Sequence, residues 1–208
     1  MHERNGNRDI SRREALRILG IAGACAAGAG GIASGAVTAS GVVREQAMLK
    51  RKIPSSGESL PVIGMGTWQT FDVSSAADLA PLEEVLRRFV TLHGQVVDSS
   101  PMYGRAEQTV GELVAKTETR HALFLATKVW TRGRKEGIEQ MEESLRRLRV
   151  PRVDLMQVHN LLDARVHLPI LREWKKSGRI RYIGITHYSS SAYGEVETLL
   201  RNEPVDFL

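Results

Sequence analysis

The chain has 208 residues, 42% hydrophobic and 25% charged, an ordinary globular composition long enough for one domain with a sizeable core. Its net charge of +5 includes Arg4, Arg8, Arg12, Arg13 and Arg17 near the start, set against Glu3, Asp9 and Glu14. No clustered basic stripe with interleaved aromatics follows, which argues against a nucleic-acid partner. The only cysteine, Cys25, leaves the rest of the chain without a disulfide or thiolate metal site, and such a chain tolerates either redox compartment.

Residues 1–43 read as an address. Ser11-Arg12-Arg13-Glu14-Ala15-Leu16-Arg17 precedes an uncharged run from Ile18 to Val43, and the pair of arginines before a mildly apolar stretch resembles a twin-arginine export signal. Val37-Thr38-Ala39 supplies small residues for cleavage, while Ala15 stands where such signals prefer Phe. The resemblance implies the twin-arginine translocation machinery as a partner and a bacterial periplasmic destination. Its competitor is an uncleaved anchor, because residues 18–43 are long enough to touch or cross a bilayer. Seven glycines between Gly20 and Gly41 disfavour a helix there, each by about 1 kcal/mol against alanine. Cys25 lacks the aliphatic residue three positions earlier that a lipidation box requires. Gly28-Ala29-Gly30-Gly31-Ile32-Ala33 has the letters of a dinucleotide fingerprint but neither the strand before it nor the βα unit after it.

The second region, residues 44–208, alternates short apolar runs with helical patterns from about Leu49 onward. Pro61–Trp68 predicts a strand. Leu82, Val85, Leu86, Phe89 and Val90 then recur at the spacing of one helix face. A strand at Gln95–Asp98 follows, then a helix near Glu107–Lys116, a strand at Leu123–Val129, and a helix carrying Ile138, Met141, Leu145 and Leu148 inward. Next come a strand at Val153–His159 and a helix around Leu168–Lys176 closed by Gly178. Arg181–Thr186 predicts a fifth strand, Ala192–Arg201 a fifth helix, and Val205–Leu208 the start of a sixth strand. This rhythm requires parallel pairing with helical crossovers. An open doubly wound sheet and a closed barrel both fit it. Reactive groups end strands two, three and four in direct succession, whereas an open sheet gathers its site at one switch point, and this favours the barrel.

Those reactive groups are Asp98, Lys128 and His159, with Tyr103 in the loop after the first of them. An acid, a phenol, an amine and an imidazole at one end of a parallel sheet suit proton donation to a carbonyl oxygen. Taken singly, each has a duller role as a helix cap, a packing aromatic, a solvated amine or a hydrogen-bonded structural imidazole.

From about Lys52 to the end, the chain resembles the aldo-keto reductase family. Leu60-Pro61-Val62-Ile63-Gly64-Met65-Gly66-Thr67-Trp68 is similar to that family's first barrel strand. Asp98 with Tyr103-Gly104, Lys128 after an apolar strand, and His159 after Asp154-Leu155-Met156-Gln157-Val158 resemble its catalytic tetrad. Ile180–Thr186 resembles its fifth strand. The resemblance implies a (β/α)8 barrel of the TIM type and NADPH-dependent interconversion of small carbonyls and alcohols without a metal, with NADH as the alternative donor. In the family's terms Tyr103 is the general acid for reduction, Lys128 stabilises its phenolate, Asp98 holds Lys128, and His159 hydrogen-bonds the substrate oxygen. Gly66, Thr67 and Asp98 resemble residues beside the cofactor. Thr186 and His187 align with a Ser-Asn pair that holds the nicotinamide carboxamide, with His187 departing from the commoner Asn. Trp68, Trp130 and Asn160 resemble walls of the substrate pocket.

The chain stops inside its sixth predicted strand, and 208 residues fall short of about 250 for a usual (β/α)8 domain. The expectation is a barrel truncated after about five and a half βα units, a fragment lacking much of the family's adenosine-phosphate clamp. Three functional readings follow: an exported NADP(H)-dependent reductase, a non-catalytic nucleotide-binding regulatory module, and an inactive truncated product.

Overall fold

A computed structural model describes residues 48–208. The twin-arginine and anchor readings of residues 1–43 lie outside the described residues. Among those described, no helix is long and apolar enough to cross a membrane.

The chain opens with an antiparallel hairpin of β1 (Lys50–Lys52) and β2 (Ser59–Pro61), turned at Gly57 with φ of 75°. Five parallel strands follow, each separated from the next by a helix: β3 (Met65–Gly66), α1 (Ala76–Thr91), β4 (Val96–Asp98), α2 (Ala106–Thr117), β5 (Phe124–Val129), α3 (Arg134–Arg147), β6 (Val153–His159), α4 (Ala164–Lys176) and β7 (Ile180–Thr186). A final helix, α5 (Tyr193–Asn202), leads to Phe207, which bridges in parallel to Gly184 and begins to extend the sheet beyond β7. The strand order β3-β4-β5-β6-β7 is strictly sequential. A doubly wound sheet must reverse its order at a switch point, and this one does not.

The strands alternate in what they face, as a sheet buried on both sides requires. Leu125, Val129, Met156, Val158, Ile183 and Ile185 pack against the helices, with Leu86, Leu113, Met141, Leu168 and Leu171 opposite them. Phe124, Ala126, Leu155 and Tyr182 point to the concave side, where Ile53 and Leu60 of the hairpin join them. The hairpin is therefore the floor of the arc. Glu58 accepts bonds from Arg181 and from the Tyr182 hydroxyl, and Asp154 takes Arg181 at 2.9 Å, Arg120 at 3.2 Å and the Leu125 amide at 2.8 Å. Charge and apolar burial thus close the amino ends of the strands and leave the carboxyl ends for chemistry. A cleft of about 660 Å³ lies between the hairpin and the Phe207 segment, with Val62, Val96 and Leu208 on its walls.

The structure differs from the periodicity in two places. Pro61–Trp68 does not form one strand: Pro61 belongs to the hairpin, Gly64 packs against Val96, and only Met65–Gly66 pair in parallel. Val85 is exposed, so the buried stripe of α1 runs through Leu82 and Leu86. Gly178, with φ of 76°, ends α4 as expected.

One glycine has an unusual duty. A Cβ on Gly111 in α2 would lie 2.2 Å from the Arg147 carbonyl oxygen and 2.7–2.8 Å from the Leu148 backbone, so α2 meets the end of α3 only because that carbon is absent. Alanine normally improves a helix by about 1 kcal/mol over glycine. Here Gly111→Ala is expected to destabilise the protein by about 1–3 kcal/mol through overpacking, measured by urea denaturation; a raised midpoint would refute the close approach.

Candidate active site

Sheet register places the polar residues of the carboxyl rim side by side. Gly66 pairs with Asp98, Asp98 with Ala126, Lys128 with Gln157, and His159 with Thr186. Asp98, His159 and Thr186 are each the last residue of their strands, and Lys128 is the penultimate residue of β5. Parallel strands put their carboxyl ends on one side, so chemistry scattered along the sequence from Asp98 to Thr186 converges.

Lys128 is the centre of the group. It is 4% exposed, and its Nζ donates to Asp98 Oδ2 at 2.6 Å and to the Ser99 carbonyl at 2.7 Å. A buried ammonium is costly unless paired and hydrogen-bonded, and both conditions are met. Gln157 Nε2 donates to the other carboxylate oxygen of Asp98 at 3.1 Å, so the carboxylate is held from two strands. Nothing in the sequence motif singles out Gln157, yet period-two alternation along β6 puts it on the same face as His159.

Tyr103 comes from the loop between β4 and α2. Its amide donates to the Ser100 carbonyl and its carbonyl accepts from Ala106, which folds the loop into turns and swings the phenol back toward the strands. Gly104 makes the turn possible. It has φ of 59°, and a Cβ there would meet the Asp72 carboxylate at 2.4 Å. Asp72 in turn accepts the Arg105 amide at 2.9 Å, at the entry to α2, a favourable place for a negative charge. The Lys128 Nζ lies 4.9 Å from the centroid of the Tyr103 ring. The ring stands edge-on to His159 at 6.5 Å and tilted to Trp68 at 6.5 Å. The Tyr103 hydroxyl makes no hydrogen bond to any described residue.

His159 is half-buried across from Tyr103. Burial and then the Lys128 ammonium hold its imidazole down to about 4, against an opposing pull from Asp98, so it is neutral at neutral pH. Its Nδ1 lies 2.7 Å from Thr186 Oγ1, which also accepts the Asn160 amide at 3.3 Å. Asn160 and Leu161 both have positive φ (52° and 55°), turning the chain sharply after the strand. For leucine that conformation costs about 1–2 kcal/mol, and such strain gathers at functional rims.

The remaining expected residues fall into two groups. Trp68 is exposed and lies beside Tyr103; Trp130 directly follows β5, with its backbone clasped by Gln140 at 2.6 and 3.2 Å. Gly66 borders open space. His187 stacks on the exposed Tyr188, and its Nδ1 accepts the Ser189 amide at 3.0 Å, which leaves Nε2 as the hydrogen-bearing nitrogen. Thr67 is different. Its side chain is fully buried, and its hydroxyl bonds the Asp98 carbonyl and Ser99 Oγ, both at 3.0 Å, so it braces β4 from beneath the rim.

Residues 62–207 match the sequence profile of the Aldo/keto reductase family. Among curated proteins the chain is similar to methylglyoxal reductase YeaE of Escherichia coli (strain K12), 37% identical over 117 residues, covering 54% of this chain and 40% of that protein. It is also similar to aldo-keto reductase YhdN of Bacillus subtilis (strain 168), 28% identical over 153 residues, covering 66% and 46%. Among solved structures it resembles an aldo/keto reductase from Klebsiella pneumoniae in complex with NADP and acetate, with 26% identity and a TM-score of 0.59 over 71% of this chain and 52% of that one. A thermostable aldo-keto reductase bound to the inhibitor epalrestat gives 25% identity and a TM-score of 0.64 over 76% and 61%. The chain spans about half the length of the curated relatives it matches.

The depressed imidazole gives a pH signature. The ordinary histidine value is 6.5 and the folded value about 4, so the unfolded chain binds more protons between those limits. Stability from this group is complete above pH 6.5 and is lost as pH falls toward 4. In NMR titrations the His159 ring signals are expected to stay in the neutral position down to at least pH 5. A midpoint near 6.5 would contradict the buried, lysine-flanked setting.

Proposed function

The chain belongs to the aldo/keto reductase family, and from that premise we propose that it reduces small aldehydes or ketones to alcohols with NADPH as hydride donor. The observation that carries the reading is the buried Lys128–Asp98 pair set beneath the Tyr103 ring at the open end of the sheet. Two further features fit a dinucleotide cofactor: open space beside Gly66, and a His187 ring with one hydrogen-bearing nitrogen unused by the described residues. Relatives in complex with NADP and NADPH support the same choice.

A bound reduced nicotinamide supplies the hydride that adds to the carbonyl carbon. The chain's own residues handle the proton and the charge. His159, neutral, donates one hydrogen bond to the substrate oxygen and orients it, stabilising negative charge as it develops there. Tyr103 delivers its hydroxyl proton to that oxygen, which completes the alcohol and leaves a phenolate. Lys128 stabilises that phenolate by its charge. Asp98 and Gln157 keep the ammonium in place, so the proton comes from the phenol. Trp68, Trp130 and Asn160 line the approach. In the oxidation direction the same phenolate is the base. Similarity to a methylglyoxal reductase makes small aldehydes the first substrates to test.

The proposal extends to location: the twin-arginine signal in residues 1–43 directs export to the periplasm. Arg12→Lys with Arg13→Lys is expected to retain the protein in the cytoplasm in a cell-fractionation assay. Export unchanged by the double substitution would remove that part.

Titration with NADPH, followed by nicotinamide fluorescence and then by turnover on an aldehyde panel, separates the readings. Binding with turnover supports the reductase. Binding without turnover favours a nucleotide-binding module, and no binding an inactive chain. Tyr103→Phe is expected to lower kcat by about 10²–10⁴-fold while leaving NADPH affinity within about twofold of wild type. Turnover unchanged by that substitution would discredit the assigned acid.

A further inference from the structure

The donor role of His159 requires that its hydrogen sit on the nitrogen facing the substrate, and a neutral imidazole carries only one. Which nitrogen bears it is set by the partner of the other. That partner is Thr186, at 2.7 Å from Nδ1. We propose that Thr186 fixes the tautomer of His159 by donating its hydroxyl hydrogen to Nδ1, so that Nε2 carries the ring hydrogen and presents it to the carbonyl oxygen.

The assignment follows from hydrogen counting. Thr186 Oγ1 has one hydrogen and two lone pairs. The Asn160 amide already donates to this oxygen at 3.3 Å, which uses one lone pair and polarises the O–H bond. Among the described residues the oxygen has only one acceptor within bonding distance, His159 Nδ1. With the hydroxyl as donor, every hydrogen in the chain Asn160 N–H, Thr186 O–H, His159 Nδ1 finds an acceptor. With Nδ1 as donor instead, two N–H groups converge on one oxygen and its own hydrogen has no partner among the described residues. The latter arrangement also turns a lone pair at Nε2 toward the electron-rich substrate oxygen.

The contact is built into the sheet. His159 and Thr186 are register partners at the ends of β6 and β7, and parallel pairing holds same-face neighbours on adjacent strands at a fixed separation. The positive φ of Asn160 brings its amide back over the same hydroxyl. Two independent backbone features therefore aim at one oxygen. Thr186 is a positioning residue in this scheme. One lone pair of its hydroxyl remains for a ligand, so any contact it makes with the cofactor is as an acceptor.

The catalytic consequence rests on the reductase reading; the tautomer itself does not. Long-range ¹H–¹⁵N correlation spectra of the uniformly labelled full chain near pH 7.5 distinguish a hydrogen-bearing ring nitrogen from a bare one, with His159→Gln used to assign the signals. The wild type is expected to show a hydrogen-bearing Nε2 and a bare Nδ1. Thr186→Ser keeps the hydroxyl and is expected to preserve this pattern. Thr186→Val keeps the β-branched shape suited to a strand but lacks the hydroxyl, and is expected to shift the tautomer balance toward Nδ1–H. If Val fails to fold, Thr186→Ala serves the same comparison. In an active protein the loss of the hydroxyl lowers kcat by about tenfold, the scale of one neutral hydrogen bond, and Ser restores it. A wild type with the hydrogen on Nδ1, or a Val or Ala variant with an unchanged tautomer, overturns the proposal. The expected spectra in a chain that reduces no carbonyl would uphold the hydrogen-bond assignment and sink the functional reading instead.

Discussion

A lysine ammonium almost wholly withdrawn from water is the constraint around which this molecule is organised. Lys128 is tolerable at 4% exposure only because the Asp98 carboxylate and the Ser99 carbonyl take two of its three N–H groups. Both acceptors sit at the end of β4, and Gln157 on β6 steadies the carboxylate from the far side. The need to satisfy one charge thus ties three successive strands together at the rim where Tyr103 hangs. The same charge reaches His159 and, together with burial, keeps that imidazole uncharged. A neutral donor and a phenol flanked by a fixed cation are what proton delivery to a carbonyl oxygen calls for.

The two ends of the strands divide the labour. At the amino ends, Asp154 gathers two arginines and a backbone amide, Glu58 ties the hairpin to Arg181 and Tyr182, and Ile53 with Leu60 fills the floor. At the carboxyl ends Asp98, Lys128, His159 and Thr186 gather instead, and the loops that follow turn through the left-handed residues Gln69, Gly104, Asn160 and Leu161. Strain at the rim is affordable because the floor and the helix layer supply the packing that holds the scaffold in place. The Tyr103 loop illustrates the join between the two. Gly104 permits both a positive φ and the approach of Asp72, so one missing Cβ links a helix entrance to the position of a candidate acid.

Much of this was legible in the residues alone. Hydrophobic periodicity marks four of the five parallel strands and all five helices to within a few residues, because the layers of an α/β fold impose periods of two and 3.6 that survive without tertiary information. Asp98, Lys128 and His159 announce themselves as polar residues closing apolar runs. Parallel pairing with helical crossovers then forces those closing residues onto one side. The chemistry of an acid, an amine, a phenol and an imidazole follows from their side chains whatever the fold.

Other features needed three dimensions. The hairpin floor leaves no periodic signal because its strands are three residues long, and the residues that anchor it, Arg181 and Tyr182, lie more than a hundred positions away, a range over which no local pattern operates. Gln157 looked like one more strand residue until register set it beside Lys128 and aimed its amide at Asp98. Thr67 and Thr186 have the same side chain, and only burial and strand pairing separate a brace beneath the rim from a hydroxyl bonded to His159. Side-chain identity determined which proton transfers are chemically available; the sheet register decided which groups meet, since hydrogen bonds act over about 3 Å and nothing in a linear order encodes that distance.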